Sequence, residues 1–253
     1  MLENTTYSLL DGFVRNLPVG WRAIYDNLLY ASLNTRLSRF FSQFIQPGDL
    51  VFDIGANVGK LTGVFIKLGA RVVAVEPQPV CVVTLKRRFG SKPQVTIIPG
   101  GIGEKAGTLP FYISSKTDVV STFSTHFIQH SRYSKRVWDT VIEVPVTTLD
   151  ELIDQHGIPK FIKIDTEGFE LNVLKGLTYA IPHLSFEFTR ELDEEYQACL
   201  ARLATLGQYR FNYSRWQHYR LASRDWLTER QLVRTIAIDK TLLLCGDVYC
   251  NLE

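Results

Sequence analysis

Between Asp49 and Glu76 the chain reads DLVFDIGANVGKLTGVFIKLGARVVAVE, and few folds accommodate that order of residues. Leu50, Val51, Phe52 and Ile54 form the short apolar run of a buried strand. Gly55-Ala56-Asn57-Val58-Gly59 follows at once. Its two glycines permit a sharp turn and an approach to ligand that a side chain would block. Leu61, Val64, Phe65 and Leu68 then recur at helical spacing, with Gly69 placed to end the helix. Arg71 to Val75 reads as a second strand, and Glu76 stands at its carboxyl end. Ligands of a parallel α/β sheet bind at that edge. An acid there accepts both hydrogen bonds of a ribose diol. The first half of the chain is therefore expected to hold a nucleoside.

What is missing narrows the nucleoside. The dinucleotide fingerprint G-x-G-x-x-G uses its middle glycine to admit a pyrophosphate. Asn57 occupies that place, and no third glycine follows in the required spacing. An adenosine carrying an amino acid fits better than one carrying phosphates. The D-x-G-x-N-x-G run from Asp53 to Gly59 resembles the first motif of class I methyltransferases, which hold S-adenosylmethionine.

A second stretch sharpens the resemblance. Phe161-Ile162-Lys163-Ile164-Asp165-Thr166-Glu167-Gly168-Phe169-Glu170, continued by Leu171 to Gly176, is similar to the K-I-D-x-E-G-x-E-x-x-V-L-x-G signature of FkbM-type methyltransferases. Val144 to Asp150 resembles that family's V-x-x-T-L-D segment. With D-I-G-A-N-x-G and V-x-x-V-E-P, four motifs stand in the family's order between Asp49 and Phe188. One departure is visible: Pro99-Gly100-Gly101-Ile102-Gly103 replaces the usual Asn-x-Ala-type turn after the third strand. The resemblance implies a Rossmann-like α/β fold with a mostly parallel, doubly wound sheet, an antiparallel C-terminal strand and an N-terminal helical extension. It implies methyl transfer from S-adenosylmethionine to a hydroxyl of a secondary metabolite or sugar. Asp53, Gly55, Asn57 and Gly59 would hold the methionine end, Glu76 the ribose, and Gly101 and Ile102 would flank the adenine, while Asp165 would touch the cofactor and face the acceptor together with Glu167.

Composition bounds the rest. The chain has 253 residues, 45% hydrophobic and 21% charged, which suits one globular domain. Residues 1–47 are expected to be helices preceding a 48–253 core with insertions near 115–139 and 216–239. Net charge is +2, from 28 basic and 26 acidic residues, so no nucleic-acid footprint is expected. Cys81, Cys199, Cys245 and Cys250 lack a C-x-x-C spacing and read as buried free thiols. Met1 to Asn4 lacks a signal peptide's basic start, and no apolar run approaches the roughly 20 residues of a membrane span. A cytoplasmic enzyme acting on a small hydroxylated acceptor is expected, and a homo-oligomer is left open.

Periodicity places the remaining elements. Helices are expected over Trp21 to Leu29, Leu33 to Ile45, Pro79 to Phe89, Thr148 to Gln155, Phe169 to Leu177 and Leu192 to Leu206. Strands are expected over Gln94 to Ile98, Gly107 to Ser114, Thr140 to Val146, Phe161 to Asp165 and Leu184 to Phe188. Tyr209 to Tyr213 and Asp247 to Leu252 make a final antiparallel pair. Ser115 to Asp139 reads as an irregular loop over the substrate.

An oxygen nucleophile needs a base to take its proton. Asp165 and Glu167 lie at the carboxyl end of the fourth strand of the parallel core and are the first candidates. Glu170 divides evenly between a catalytic role and that of a first-turn acid stabilising its helix. Glu187 lies inside an apolar strand, where a buried acid needs a partner or a role; Lys163, a substrate hydroxyl or a metal would serve. His126 is a further candidate base, and shares a face with His130 only in a helix. Asp165 and Glu167 also offer oxygen ligands to a divalent cation such as Mg²⁺, although no further acidic cluster is evident in the sequence. Two rival readings are an NAD-linked oxidoreductase, which the missing middle glycine opposes, and a non-catalytic nucleoside-binding domain, which the retained acids oppose.

Overall fold

The computed structural model describes residues 35–114, 120–215, 218–239 and 245–253. The expected Trp21–Leu29 helix lies outside them. A helix over 35–41, here α1, precedes the first strand. Then follow β1 (Leu50–Ile54), α2 (Lys60–Lys67), β2 (Arg71–Glu76), α3 (Pro79–Phe89), β3 (Val95–Pro99), β4 (Gly101–Ile102), β5 (Gly107–Ile113) and β6 (Ser121–Thr122). After α4 (Thr125–His130) come β7 (Thr140–Thr147), α5 (Leu149–His156), β8 (Phe161–Ile164), α6 (Glu170–Lys175) and β9 (His183–Thr189). The chain closes with α7 (Asp193–Ala204), β10 (Tyr209–Arg215), α8 (Glu229–Ile238) and β11 (Cys245–Leu252).

Among the described residues seven strands form the main sheet in the order β10-β11-β9-β8-β1-β2-β3. Pairings from β9 to β3 are parallel, and β11 runs antiparallel to both its neighbours. This is the Rossmann-like α/β arrangement expected from the resemblance. A second sheet, β4-β7-β5-β6, branches off where the chain leaves β3.

Both faces of the main sheet are covered, which is why its parallel strands read as nearly unbroken apolar runs. The pleat sends alternate residues to opposite faces. Phe52, Val73, Val75, Ile162, Ile164 and Phe186 join one core cluster with α5, α6 and α7. Val51, Val72, Ala74, Phe161 and Tyr249 join the other, under Leu37, Phe41, Phe44 and the apolar faces of α2 and α3. Local signals set the ends of several helices. Thr148 and Glu151 form a reciprocal capping box at the start of α5.

Two segments differ from expectation. The 115–139 stretch is more regular than a loop: its described part contains β6 and α4, and Phe127 is buried against Val120 and Leu192. The periodicity there is too short to register in sequence. The 216–239 insertion contains α8, whose capping box joins Thr228 and Gln231.

The turn after β1 fixes the geometry of the carboxyl edge. Gly55 has φ +79, and a β-carbon on it would lie 1.8 Å from the Asp165 carbonyl oxygen. The glycine therefore serves the approach of β1 to the end of β8. Gly48 has φ +90 but nothing within 4 Å of a built β-carbon. Gly48→Ala is expected to cost only the roughly 1–2 kcal/mol of left-handed strain. Gly55→Ala should cost clearly more, because backbone must also move. Urea unfolding of the two variants checks this; equal losses would show that the β1–β8 contact yields freely.

Candidate active site

A cavity of about 420 Å³ opens at the carboxyl edge of β1, β2, β8 and β9. Gly55 and Asn57 of the glycine turn, Glu76 of β2, and Gly101 and Ile102 of β4 line one part. Asp165, Glu167 and Glu187 line another.

Glu76 is buried and aimed by the backbone. Its Oε2 accepts from the Asn57 N–H at 2.7 Å and its Oε1 from the Gln78 N–H at 2.8 Å. Each oxygen keeps a lone pair for a ligand hydroxyl. Burial pushes its pKa up to about 7, against those two hydrogen bonds and with help from Asp53 and Asp165. Asn57 adopts φ 50, a conformation asparagine tolerates better than most residues. Asp53, also buried, accepts from the Thr62 hydroxyl at 2.5 Å, so β1 is tied to α2 beneath the turn. Burial raises Asp53 to about 6.

Register gathers the acidic end. Asp53 pairs with Lys163, Lys163 with Ser185, and Glu187 with Asp247, so the pleat puts these side chains on one sheet face. Lys163 is the buried cation among them. Its Nζ lies 2.8 Å from Asp247 Oδ1, 3.2 Å from Asp165 Oδ2 and 3.1 Å from the Ile164 carbonyl oxygen. Against the penalty of burial, Asp165 and Asp247 hold its pKa well above the ordinary value. One carboxylate oxygen each from Asp165, Glu167 and Glu187 lies within 4.8 Å of the others. Burial and the neighbouring Asp165 charge raise the pKa of both Glu167 and Glu187. These three carboxylates are the described group able to hold a divalent cation, and Lys163 already supplies positive charge beside them.

The loop bearing Glu167 is held from several sides. Glu167 has φ 52 and Gly168 φ 84. The Thr122 hydroxyl donates to the Glu167 carbonyl at 2.8 Å, and Phe127 packs where a β-carbon on Gly168 would stand. Glu170 is buried and accepts from the Thr166 N–H, the Thr166 hydroxyl and the Gly168 N–H at 2.9, 3.1 and 3.3 Å. These bonds brace the 166–168 turn that precedes α6.

Most of the expected residues meet at the cavity: Asp53, Gly55, Asn57, Glu76, Gly101, Ile102, Asp165, Glu167 and Glu187 all line it. Gly59 and His126 are not among the lining residues. A β-carbon on Gly59 would strike Leu85 and Phe89, so that glycine serves the packing of α3. His126 is half exposed, pairs with Glu195 at 3.2 Å and stacks on His130 at 4.3 Å. Lys163, expected as a partner of Glu187, has Asp165 and Asp247 as its direct partners. Asp247, Lys60, Tyr219 and Tyr249 also line the cavity and carry no local signal. The four cysteines are buried free thiols, as expected.

Residues 53–231 match the family model described as the methyltransferase FkbM domain. The hexuronic acid methyltransferase AglP of Haloferax volcanii is 27% identical over 152 residues, covering 58% of this chain and 58% of that protein. The alignment thus spans a little over half of that relative. A precorrin-6y C5,15-methyltransferase from Geobacter metallireducens superposes with TM-score 0.46 at 10% identity, covering 88% of this chain and 86% of that one. Aeropyrum pernix fibrillarin, solved with natively bound S-adenosyl-L-methionine, gives TM-score 0.45 at 10% identity, covering 81% and 67%. Among the described residues no helix is long and apolar enough to cross a membrane.

Crowded carboxylates make the fold sensitive to pH. Asp53 near 6, Glu76 and Glu170 near 7, and the raised Glu167 and Glu187 all bind protons more tightly folded than unfolded. The stability they contribute is complete below their unfolded values of about 4 and is lost as pH climbs through the folded ones. Lys163 does not titrate in that window. The urea midpoint of the ligand-free protein is expected to fall between about pH 5 and pH 8. Glu187→Gln should flatten the fall and raise the midpoint at pH 8. A midpoint that climbs across the range would show that the cluster ionises without cost.

Proposed function

The chain belongs to the FkbM methyltransferase family, and from that membership we propose that it transfers a methyl group from S-adenosylmethionine to a hydroxyl oxygen of a small acceptor, a sugar or a secondary metabolite. The observation that carries the reading is one cavity shared by the backbone-aimed Glu76 and the Asp165, Glu167 and Glu187 cluster. Its charge suits the cofactor. Six carboxylates (Asp53, Glu76, Asp165, Glu167, Glu187, Asp247) and two lysines (Lys60, Lys163) line it. That surplus favours a sulfonium cation with an ammonium and disfavours a pyrophosphate, which counts against an NAD-linked reaction. The sugar acceptor is supported by the likeness to AglP, whose name specifies a hexuronic acid.

When bound, the cofactor supplies a methyl group already activated on sulfur. The chain's own residues then align, desolvate and deprotonate. Glu76 takes the ribose hydroxyls. Gly101 and Ile102 form the wall beside the base. Asp165 is fixed by Lys163 and can accept from an acceptor hydroxyl without moving. Glu167, whose pKa is raised by burial and by Asp165, is the group we assign to receive the hydroxyl proton. A Glu187 carboxylate oxygen lies within 4.8 Å of that group. Neighbouring carboxylates also suit a polyol, since adjacent hydroxyls can donate to them in parallel.

Calorimetric titration is expected to show saturable S-adenosylmethionine binding, weakened roughly tenfold to a hundredfold in Glu76→Ala by loss of charged hydrogen bonds. Glu167→Gln should keep that binding and lower methyl transfer to a hydroxylated saccharide by about 10²-fold or more. Mass spectrometry of the acceptor reads the second effect. Folded wild-type protein that binds NAD and not S-adenosylmethionine would overturn the proposal.

A further inference from the structure

The amino-acid tail of S-adenosylmethionine brings a carboxylate into a cavity lined by six others. A cation there would stabilise it, and the lining offers two, Lys60 and Lys163. Lys163 is occupied: its ammonium is spent on Asp165, Asp247 and the Ile164 carbonyl. Lys60 is not. It is the first residue of α2, directly after the glycine turn, and it lines the cavity beside Gly55 and Asn57. Its Nζ donates to the Tyr219 hydroxyl at 2.9 Å and stands 5.4 Å from that ring's centroid. Among the described residues no carboxylate pairs with it, so an ammonium with three donors has one such bond.

Tyr219 comes from the C-terminal insertion whose part the sequence left open. It is a non-glycine residue at φ 44, with its ring tilted on Phe40 at 6.5 Å. A residue held in that conformation is over-determined by its surroundings. Here the result is to bring a hydroxyl across to the end of a lysine that starts a distant helix.

We propose, on the basis of the cofactor reading above, that Lys60 binds the methionine carboxylate of S-adenosylmethionine and that Tyr219 is its positioning residue. Glu76 then takes the ribose, and Lys60 takes the far end of the amino-acid tail. The insertion contributes directly to the cofactor wall.

Decarboxylated S-adenosylmethionine keeps the sulfonium and the amine and lacks only the carboxylate, so it isolates this contact. Calorimetry with wild-type protein should show the intact cofactor preferred by about tenfold or more. Lys60→Gln should bring the intact cofactor down to the affinity of the decarboxylated one, whose own binding is unchanged. Lys60→Arg should retain most of the preference, and Tyr219→Phe should lose part of it. Equal weakening of both ligands in Lys60→Gln, or an undiminished preference, overturns the assignment and leaves the methyltransferase reading standing. Wild-type protein that binds neither ligand overturns that reading, and this one with it.

Discussion

A single buried ammonium lets acidic side chains from several strands share one sheet face. Lys163 is 3% exposed, and Asp165 and Asp247 meet it from β8's end and from β11. Isolated charges in such a place would be prohibitive, and even paired ones are seldom worth more than a well-packed apolar substitute. The cluster is therefore poor evidence for stability and good evidence for a task. It keeps Asp165 in a fixed place at the cavity wall, while burial and the Asp165 charge dominate at Glu167 and Glu187. Two kinds of carboxylate result within one site, one anchored and two that hold protons tightly. Environments that divide like groups in this way are how acid–base roles are assigned.

The same edge depends on backbone proximity. β1 can lie against the end of β8 only because Gly55 has no β-carbon to meet the Asp165 carbonyl. That contact places the glycine turn, and with it Asn57, next to the residues that carry the acidic cluster. Glu170 then satisfies three donors of the Thr166–Gly168 turn, and α4 presses Phe127 into the space beside Gly168. Packing and hydrogen bonding thus hold the Glu167 loop from beneath and from the side. A carboxylate on a loop so held does not have to be ordered when an acceptor arrives.

Legibility in the sequence followed the range of the interaction. Glu76, Gly55 and Asn57 were readable because strand, turn and helix are contiguous and each residue type answers a local demand. Asp165 and Glu167 were readable as acids at a strand end and Glu187 as an acid inside an apolar strand, but not their mutual distance, which register sets. Asp247 carried no signal: it belongs to the last strand, and only the antiparallel pairing with β9 puts it beside Glu187. Gly59 looked like a ligand-facing glycine because turn and helix contacts ask for the same residue; its neighbours are Leu85 and Phe89. His126 looked available because an exposed pairing such as that with Glu195 leaves no trace in sequence. Lys60 and Tyr219 are 159 positions apart, and neither alone marks a site.

Strain gives an independent measure of where this molecule departs from folding for its own sake. Among the described residues, three non-glycine residues have positive φ: Asn57, Glu167 and Tyr219. All three line the one cavity, at the glycine turn, the acidic loop and the C-terminal insertion. Each conformation costs of order 1–3 kcal/mol unless its surroundings require it. Glycine would relieve that cost at any of the three, yet side chains are kept. At Asn57 the side-chain Oδ1 accepts from the Val58 N–H; at Glu167 the carboxylate is presented to Asp165 and Glu187; at Tyr219 the hydroxyl is presented to Lys60. In each case the unfavourable backbone places a polar group that the cavity would otherwise lack. Stability is lowered where these polar groups are placed, and the cores on the two faces of the sheet supply the stability that offsets it.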